Sequence, residues 1–339
     1  LHDALPICYF EQLGFRYYGP IDGHDLTDLL HHMKNITDMS GPVLLHVLTQ
    51  KGKGYRYAEE SPHLYHGVAP FMVENGVNLN GSGMKKVHSF SEAMGSQMVE
   101  LARRNPKICA ISAAMTASTG LSEFEAQFPA RFYDVGIAEQ HAMTMAAGMA
   151  AGGMRPVVAI YSTFLQRAYD QVLHDICLQC LPVVIAVDRA GIVGEDGETH
   201  QGIYDLSLLL PMPGLEIFCP PDYRTLQQNL TYALSASRPI AIRYPRGKEW
   251  PEALPDPILE EQPQKSTVPG LRPDWVPEEF EELSDLSAHM KVRCLRRGTA
   301  ATLAVLGSLA GPALKAADLL AAENIDVEVL SIVCAKPFD

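Results

Sequence analysis

No stretch of this chain approaches the roughly twenty consecutive apolar residues that a membrane-spanning helix needs, and no secretory leader is recognisable. Basic residues are scarce: 27 Lys and Arg stand against 40 Asp and Glu, a formal net charge of −13. That balance argues against non-specific nucleic-acid binding but leaves room for a locally basic pocket. Cysteines number seven, scattered and odd in count, which fits a reducing cytoplasm better than a disulfide framework. Cys177 and Cys180 form a CxxC, but no second pair lies nearby at zinc spacing, so helical packing is the expected role. Internal repeats and low-complexity tracts are absent. With 339 residues, 47% hydrophobic and 20% charged, the chain has the composition of an ordinary globular protein with enough length for two or three domains.

Periodicity predicts alternating helices and strands. Over 8–71, the apolar stripe Leu26, Leu29, Leu30 and Met33 predicts a helix within Asp25–Asn35, ended by Gly41-Pro42. The run Val43–Leu48 then reads as a strand buried on both faces, and the segment as the tail of an α/β domain. Residues 72–88 are polar and aperiodic, a linker. The region 89–249 reads as a complete domain. Ser89 and Glu92 make a capping box that opens a helix to about Arg104. Strands are expected at Ile108–Ser112, Phe132–Val135, Val157–Tyr161, Pro182–Val187, Leu215–Phe218 and Ile240–Tyr244. Helices are expected at Leu121–Phe128, Ala138–Ala151, Phe164–Leu178 and Asp222–Ser235. This alternation predicts an α/β fold with a doubly wound parallel sheet. Pro251–Met290 carries ten acidic residues against two basic ones, so 250–295 is expected to be a solvated linker or insertion. From 296 the pattern resumes (strand Thr302–Leu306, helix Gly311–Glu323, strand Val327–Leu330) as the start of a third, truncated α/β domain. Residues 1–7 reverse-translate into the end of a sequencing-adapter oligonucleotide and are expected to be a non-native scar; the chain is expected to be a gene fragment open at both ends.

Several segments at strand ends carry chemistry. Asp134-Val135-Gly136-Ile137-Ala138-Glu139-Gln140-His141 sets one carboxylate, Glu139, between a short strand and an Ala/Met-rich helix. Poor solvation there favours the neutral carboxyl, which can share a proton with a bound heterocycle; the plainer role is a helix-start glutamate favoured by the macrodipole. After the next strand comes Tyr161-Ser162-Thr163-Phe164-Leu165-Gln166-Arg167, where Phe164 also belongs to the core stripe of its helix. The loop Asp188–Gln201 holds Gly191, Gly194 and Gly197 with Arg189, Asp196 and His200, at the strand end where ligands sit in open α/β sheets. There His200 can move protons near neutral pH. In Arg243-Tyr244-Pro245-Arg246-Gly247, the arginine fork suits a phosphate, although Arg243 reads better as an internal ion-pair partner.

Together these strings resemble those of the 1-deoxy-D-xylulose-5-phosphate synthases, a transketolase-like family of thiamine-diphosphate enzymes. The resemblance runs from Tyr9 to Asp339, the acidic segment excepted, and is strongest over Phe132–Gly202. It implies thiamine diphosphate with Mg2+ as cofactors, and pyruvate and D-glyceraldehyde 3-phosphate as substrates condensed with loss of CO2. A homodimer with no nucleic-acid or membrane partner and a cytoplasmic location are implied too. Residue by residue it implies that Glu139 activates the aminopyrimidine, on which Phe164 stacks beside Ile137. Arg167 and Tyr161 would face the reacting centre, and Asp196 and His200 would meet the pyruvate-derived part. Arg189, Arg246 and Tyr161 would hold the acceptor phosphate. His66, in Tyr65-His66-Gly67-Val68, would reach the cofactor. The family's Gly-Asp-Gly…Asn motif for magnesium and diphosphate is not found in this chain, so the chain alone is expected to be inactive. Thr116 and Ala69 stand where proline and glycine are expected. A transketolase, a 2-oxoacid dehydrogenase beta subunit and a non-catalytic remnant of the pyrimidine domain are the competing readings.

Overall fold

The computed structural model describes residues 5–62, 65, 71–77, 89–258 and 292–338. Two compact units partition the chain, Leu1–Lys86 and Val87–Asp339.

In the first unit the helix α1 (Leu5–Gln12) precedes strand β1 (Arg16–Asp22), helix α2 (Leu26–Thr37), strand β2 (Val43–Leu48) and helix α3 (Arg56–Glu60). The strands pair in parallel. Asp25 caps α2, its carboxylate accepting from the backbone N–H groups of Thr27 and Asp28 at 3.0 Å, as a short acidic side chain at a helix start should. The expectation of a doubly buried β2 is corrected: its residues are half-buried or exposed, because among the described residues only β1 pairs with it. No residue of α2 is buried, and Leu26, Leu30 and Met33 are exposed.

The second unit begins with helix α4 (Phe90–Arg104), opened by the full Ser89/Glu92 capping box. There follow β3 (Ile108–Ser112), α5 (Ser122–Gln127), β4 (Phe132–Asp134), α6 (Glu139–Ala151) and β5 (Arg155–Tyr161). Next come α7 (Ser162–Leu165), a 3-10 turn, α8 (Tyr169–Gln171) and a π-helical stretch Val172–Cys177. β6 (Val184–Asp188), α9 (Asp205–Leu209), β7 (Glu216–Phe218), α10 (Tyr223–Ser235) and β8 (Ile240–Arg243) complete this part. The expected regular helix Phe164–Leu178 is therefore corrected to a composite. Its apolar positions Phe164, Ala168, Val172 and Ile176 recur every four residues, which in a 3.6-residue helix drifts by about 40° per step. The wide i→i+5 turn, with Leu178 N–H donating to Leu173 O at 2.9 Å, takes up that drift. Ala168, Val172 and Ile176 are all fully buried.

Strands β3 to β8 form a sheet in the order β7-β8-β6-β5-β3-β4, all parallel. Alternate strand residues feed two cores. Ile108, Ala110, Val157, Ala159, Val184 and Ala186 pack with α4 and α10 on one face. Ile111, Val158, Ile160, Ile185 and Val187 pack with α6 and the composite helix on the other. This is the doubly wound architecture, and the chain reverses direction across the sheet at β3, which lies between β4 and β5.

A smaller sheet, β10 (Ala301–Leu306), β11 (Val327–Ile332) and β9 (Val292–Arg296), packs on helix α11 (Ala310–Ala322) with its own core. β9 lies antiparallel to β11, so the expected linker 250–295 ends in a strand. The structure of 259–291 is outside the described residues. A last strand, β12 (Cys334–Lys336), pairs antiparallel with β7. The large sheet thus gains an antiparallel edge that the purely parallel expectation lacked. Lys336 donates through Nζ to the carbonyl oxygens of Leu210, at 2.7 Å, and of Met212.

Candidate active site

The sheet's carboxyl edge gathers nearly every residue that the sequence singled out. Glu139 follows β4, Tyr161, Phe164 and Arg167 follow β5, Arg189, Asp196 and His200 follow β6, and Arg246 follows β8. In parallel α/β sheets this edge beside the point of reversal is where ligands bind.

Glu139 opens α6 and is only 5% exposed. Its approach is fixed by Asp134, whose Oδ1 accepts from the backbone N–H groups of Ala114 and Gly136 at 2.9 Å and whose Oδ2 accepts from the Thr116 hydroxyl at 3.0 Å. Gly136 takes φ +70°, a left-handed turn that glycine tolerates. Arg167 Nη1 donates to Glu139 Oε1 at 2.8 Å. The burial of Glu139 agrees with the poor solvation expected there, and one of its oxygens rests on a guanidinium. Among the described residues no hydrogen bond engages Oε2. Ile137 stands 80% exposed beside this turn.

The Tyr161 and Phe164 rings stack at 5.6 Å and 13°, and His200 meets Phe164 edge-on at 5.3 Å. The Arg167 guanidinium lies 5.3 Å from the Phe164 centroid, so Phe164 is half core and half platform. Thr199 Oγ1 hydrogen-bonds His200 Nδ1 at 2.8 Å, and among the described residues no hydrogen bond engages Nε2.

The arginine cluster is built from β6 and β8. Arg189 has φ +56° and is 9% exposed. Its guanidinium covers the Tyr161 ring at 3.8 Å and donates through Nε to Asp196 Oδ2 at 2.8 Å and through Nη1 to Ser118 O at 3.2 Å. Arg246 donates to Asp196 Oδ1 through Nη1 and to Glu195 Oε2 through Nη2, the latter at 2.9 Å. Both Asp196 oxygens are thereby engaged, Oδ2 by Arg189 and Oδ1 by Arg246. Burial raises the Tyr161 phenol, a shift opposed by its hydrogen bond with Ser118 and by the Arg189 charge.

Behind the cluster sits Asp188, fully buried. Its carboxylate accepts from Ser91 Oγ at 2.6 Å and from the Arg189 backbone N–H at 2.7 Å. Burial pushes its carboxyl up to about 6, against the pull of Ser91 and Arg189. The same burial raises the Tyr244 phenol well above its ordinary value, and among the described residues the Tyr244 hydroxyl has no hydrogen-bond partner. The loop is pinned at its base by Gly191 and Gly202, which exchange backbone bonds at 2.7 and 2.8 Å. Gln201 adds bonds to the Val193 N–H and carbonyl, both 2.8 Å, and to Gly197 O at 2.7 Å. Arg243 stays apart, donating to Asp205 at 2.8 and 3.2 Å.

Sequence reasoning missed Ser91, Ser118, Asp134, Asp188 and Gln201 as supports. Only Asp188 carried a signal, an acid ending the apolar run Val183–Val187. His66 lies outside the described residues. Among the described residues no group of three or more His, Cys, Asp or Glu could hold a metal ion, and no helix is long and apolar enough to cross a membrane.

Fold and site define a transketolase-like protein. Residues 86–249 match the family described as transketolase, pyrimidine binding domain, and 290–339 match transketolase, C-terminal domain. Residues 2–49 match the family described as 1-deoxy-D-xylulose-5-phosphate synthase. A split-gene transketolase solved as an inactive beta4 tetramer superposes with a TM-score of 0.58 at 30% identity, over 74% of this chain and 73% of that one. The 1-deoxy-D-xylulose-5-phosphate synthase of Pelotomaculum thermopropionicum is 48% identical over 336 residues, 99% of this chain and 48% of that protein. That of Syntrophomonas wolfei is 55% identical over 243 residues, 72% of this chain and 38% of that protein. The chain belongs to the 1-deoxy-D-xylulose-5-phosphate synthase family. It spans about half the length of the curated relatives that it matches along nearly its whole length.

Proposed function

We propose that the full-length protein condenses pyruvate with D-glyceraldehyde 3-phosphate, releasing CO2 and forming 1-deoxy-D-xylulose 5-phosphate, as a homodimer with thiamine diphosphate and Mg2+. The observation that carries this reading is Glu139, a buried carboxylate with Oε2 unengaged, at the sheet edge beside the Tyr161–Phe164 stack. That donor set fits an aminopyrimidine: a flat apolar face and one carboxyl to share a proton with a ring nitrogen. Thiamine diphosphate supplies carbanion-stabilising chemistry when bound.

The chain's own residues then divide the work. Glu139 holds or releases a proton at Oε2, and Arg167 orients it through Oε1. Phe164 and Ile137 provide apolar contact for the ring. His200, its Nδ1 engaged by Thr199, moves a proton at Nε2 near the reacting centre, and His66 is assigned a second proton-transfer role at the cofactor. Tyr161, Arg189 and Arg246 bind the acceptor phosphate, Asp196 holding both guanidinium groups in register. The diphosphate and its Mg2+ call for ligands beyond these residues, so this chain by itself is proposed to be inactive.

The test is to incubate the full-length protein with pyruvate, glyceraldehyde 3-phosphate, thiamine diphosphate and Mg2+. The reading expects 1-deoxy-D-xylulose 5-phosphate together with CO2. Ketol transfer from a sugar phosphate, without CO2 release from pyruvate, would overturn it in favour of a transketolase.

A further inference from the structure

Two adjacent acids meet the arginine cluster, and they differ in how firmly they are held. Asp196 is 19% exposed at its side chain and takes both arginines, one on each oxygen. Glu195 is 82% exposed at its side chain and, among the described residues, ion-pairs only with Arg246, through Nη2 at 2.9 Å. The fork of Arg246 is thus filled by two carboxylates of the chain itself. A phosphate group offers three acceptor oxygens to the same kind of donor, so Glu195 and an incoming phosphate compete for Nη2.

The backbone allows that exchange cheaply. Gln201 clamps the loop on both sides of the tip, at Val193 and at Gly197. Glu195 lies between those clamps in a single 3-10 turn, Gly194–Asp196. Releasing Arg246 therefore requires rotation of one exposed side chain and no movement of the loop. Exposed ion pairs of this kind contribute little, whereas the bond from Nη1 to Asp196 Oδ1 remains to keep Arg246 in place.

Resting on the phosphate-site reading above, we propose that Glu195 is a specificity-determining residue: its carboxylate stands in for the acceptor's phosphate on Arg246, and only a phosphorylated acceptor displaces it with a net gain. An unphosphorylated aldehyde brings no group to replace it and leaves the Glu195–Arg246 pair intact. The residue thereby raises the concentration at which any anion occupies the site.

The test is steady-state kinetics of the full-length protein and its Glu195→Gln variant with D-glyceraldehyde 3-phosphate and with D-glyceraldehyde, plus inhibition by inorganic phosphate. Removing an exposed competing charge should lower KM for the phosphorylated acceptor, and the inhibition constant for inorganic phosphate, by about two- to fivefold. The kcat and the KM for D-glyceraldehyde should stay unchanged. Unaltered or raised values for both phosphate compounds, or an equal change for both aldehydes, would overturn the proposal while the phosphate site stands. If the wild-type protein fails to discriminate the two aldehydes, and Arg246→Ala changes nothing, the phosphate-site reading and this proposal fall together.

Discussion

At the scale of single residues, two buried acids are engaged inside the protein, Asp188 behind the arginine cluster and Asp205 on Arg243. Asp188 is the first. Its carboxyl is raised from 3.8 to about 6 by burial, so between those values the folded state holds a proton that the unfolded chain has released. Its contribution to stability is full below about pH 3.8 and is lost as pH rises through about 6, a change of about 3 kcal/mol. Urea unfolding across pH 4 to 7 should show the wild type losing stability relative to Asp188→Asn as pH rises, since asparagine stays neutral at every pH; a pH-independent difference would contradict this. Asp205 is the second, 1% exposed against an Arg243 that is 13% exposed. Asp205→Ala leaves that guanidinium buried without its carboxylate and should cost about 3 kcal/mol in the same measurement. Residues that present chemistry to the edge were legible in the sequence because each lies in the segment that follows an apolar strand. Their supports were not: Ser91 and Asp188 are 97 positions apart, and Ser118 acts on Arg189 through a backbone carbonyl, which no side-chain pattern reveals.

Among the elements, the loop after β6 shows why its glycines are not interchangeable. A Cβ on Gly202 would sit 2.0 Å from the Arg189 carbonyl oxygen and 2.8 Å from Ser162 Oγ. Gly202→Ala should open the Gly191–Gly202 pairing and loosen Arg189. The expected result is a raised KM for the phosphorylated acceptor together with a lowered melting temperature, read by kinetics alongside calorimetry. By contrast Gly194 has open space where a Cβ would go, and Gly194→Ala should be mild by the same readouts. Element positions were largely legible, as with β3 and the capped helix α4, because burial on both sheet faces and a reciprocal cap leave strong local signals. The composite helix was not, because a four-residue apolar spacing reads as an ordinary helix until the i→i+5 turn is seen.

On the scale of the whole molecule, the doubly wound sheet was legible from alternation alone. Its antiparallel edge strand was not, since Cys334–Lys336 is too short to carry a period and owes its place to pairing with β7. β9 was hidden for a similar reason, standing next to the acidic, proline-rich tract. What the sheet achieves is to bring four strand ends, far apart in sequence, onto one edge around Glu139. The most direct measurement of the central claim is turnover of pyruvate and glyceraldehyde 3-phosphate by the full-length protein carrying Glu139→Gln, with circular dichroism to confirm folding. Glutamine keeps the shape and a contact for Arg167 but cannot share a proton at Oε2. A fall in kcat of about a hundredfold or more is predicted; near wild-type turnover by a folded variant would contradict the account.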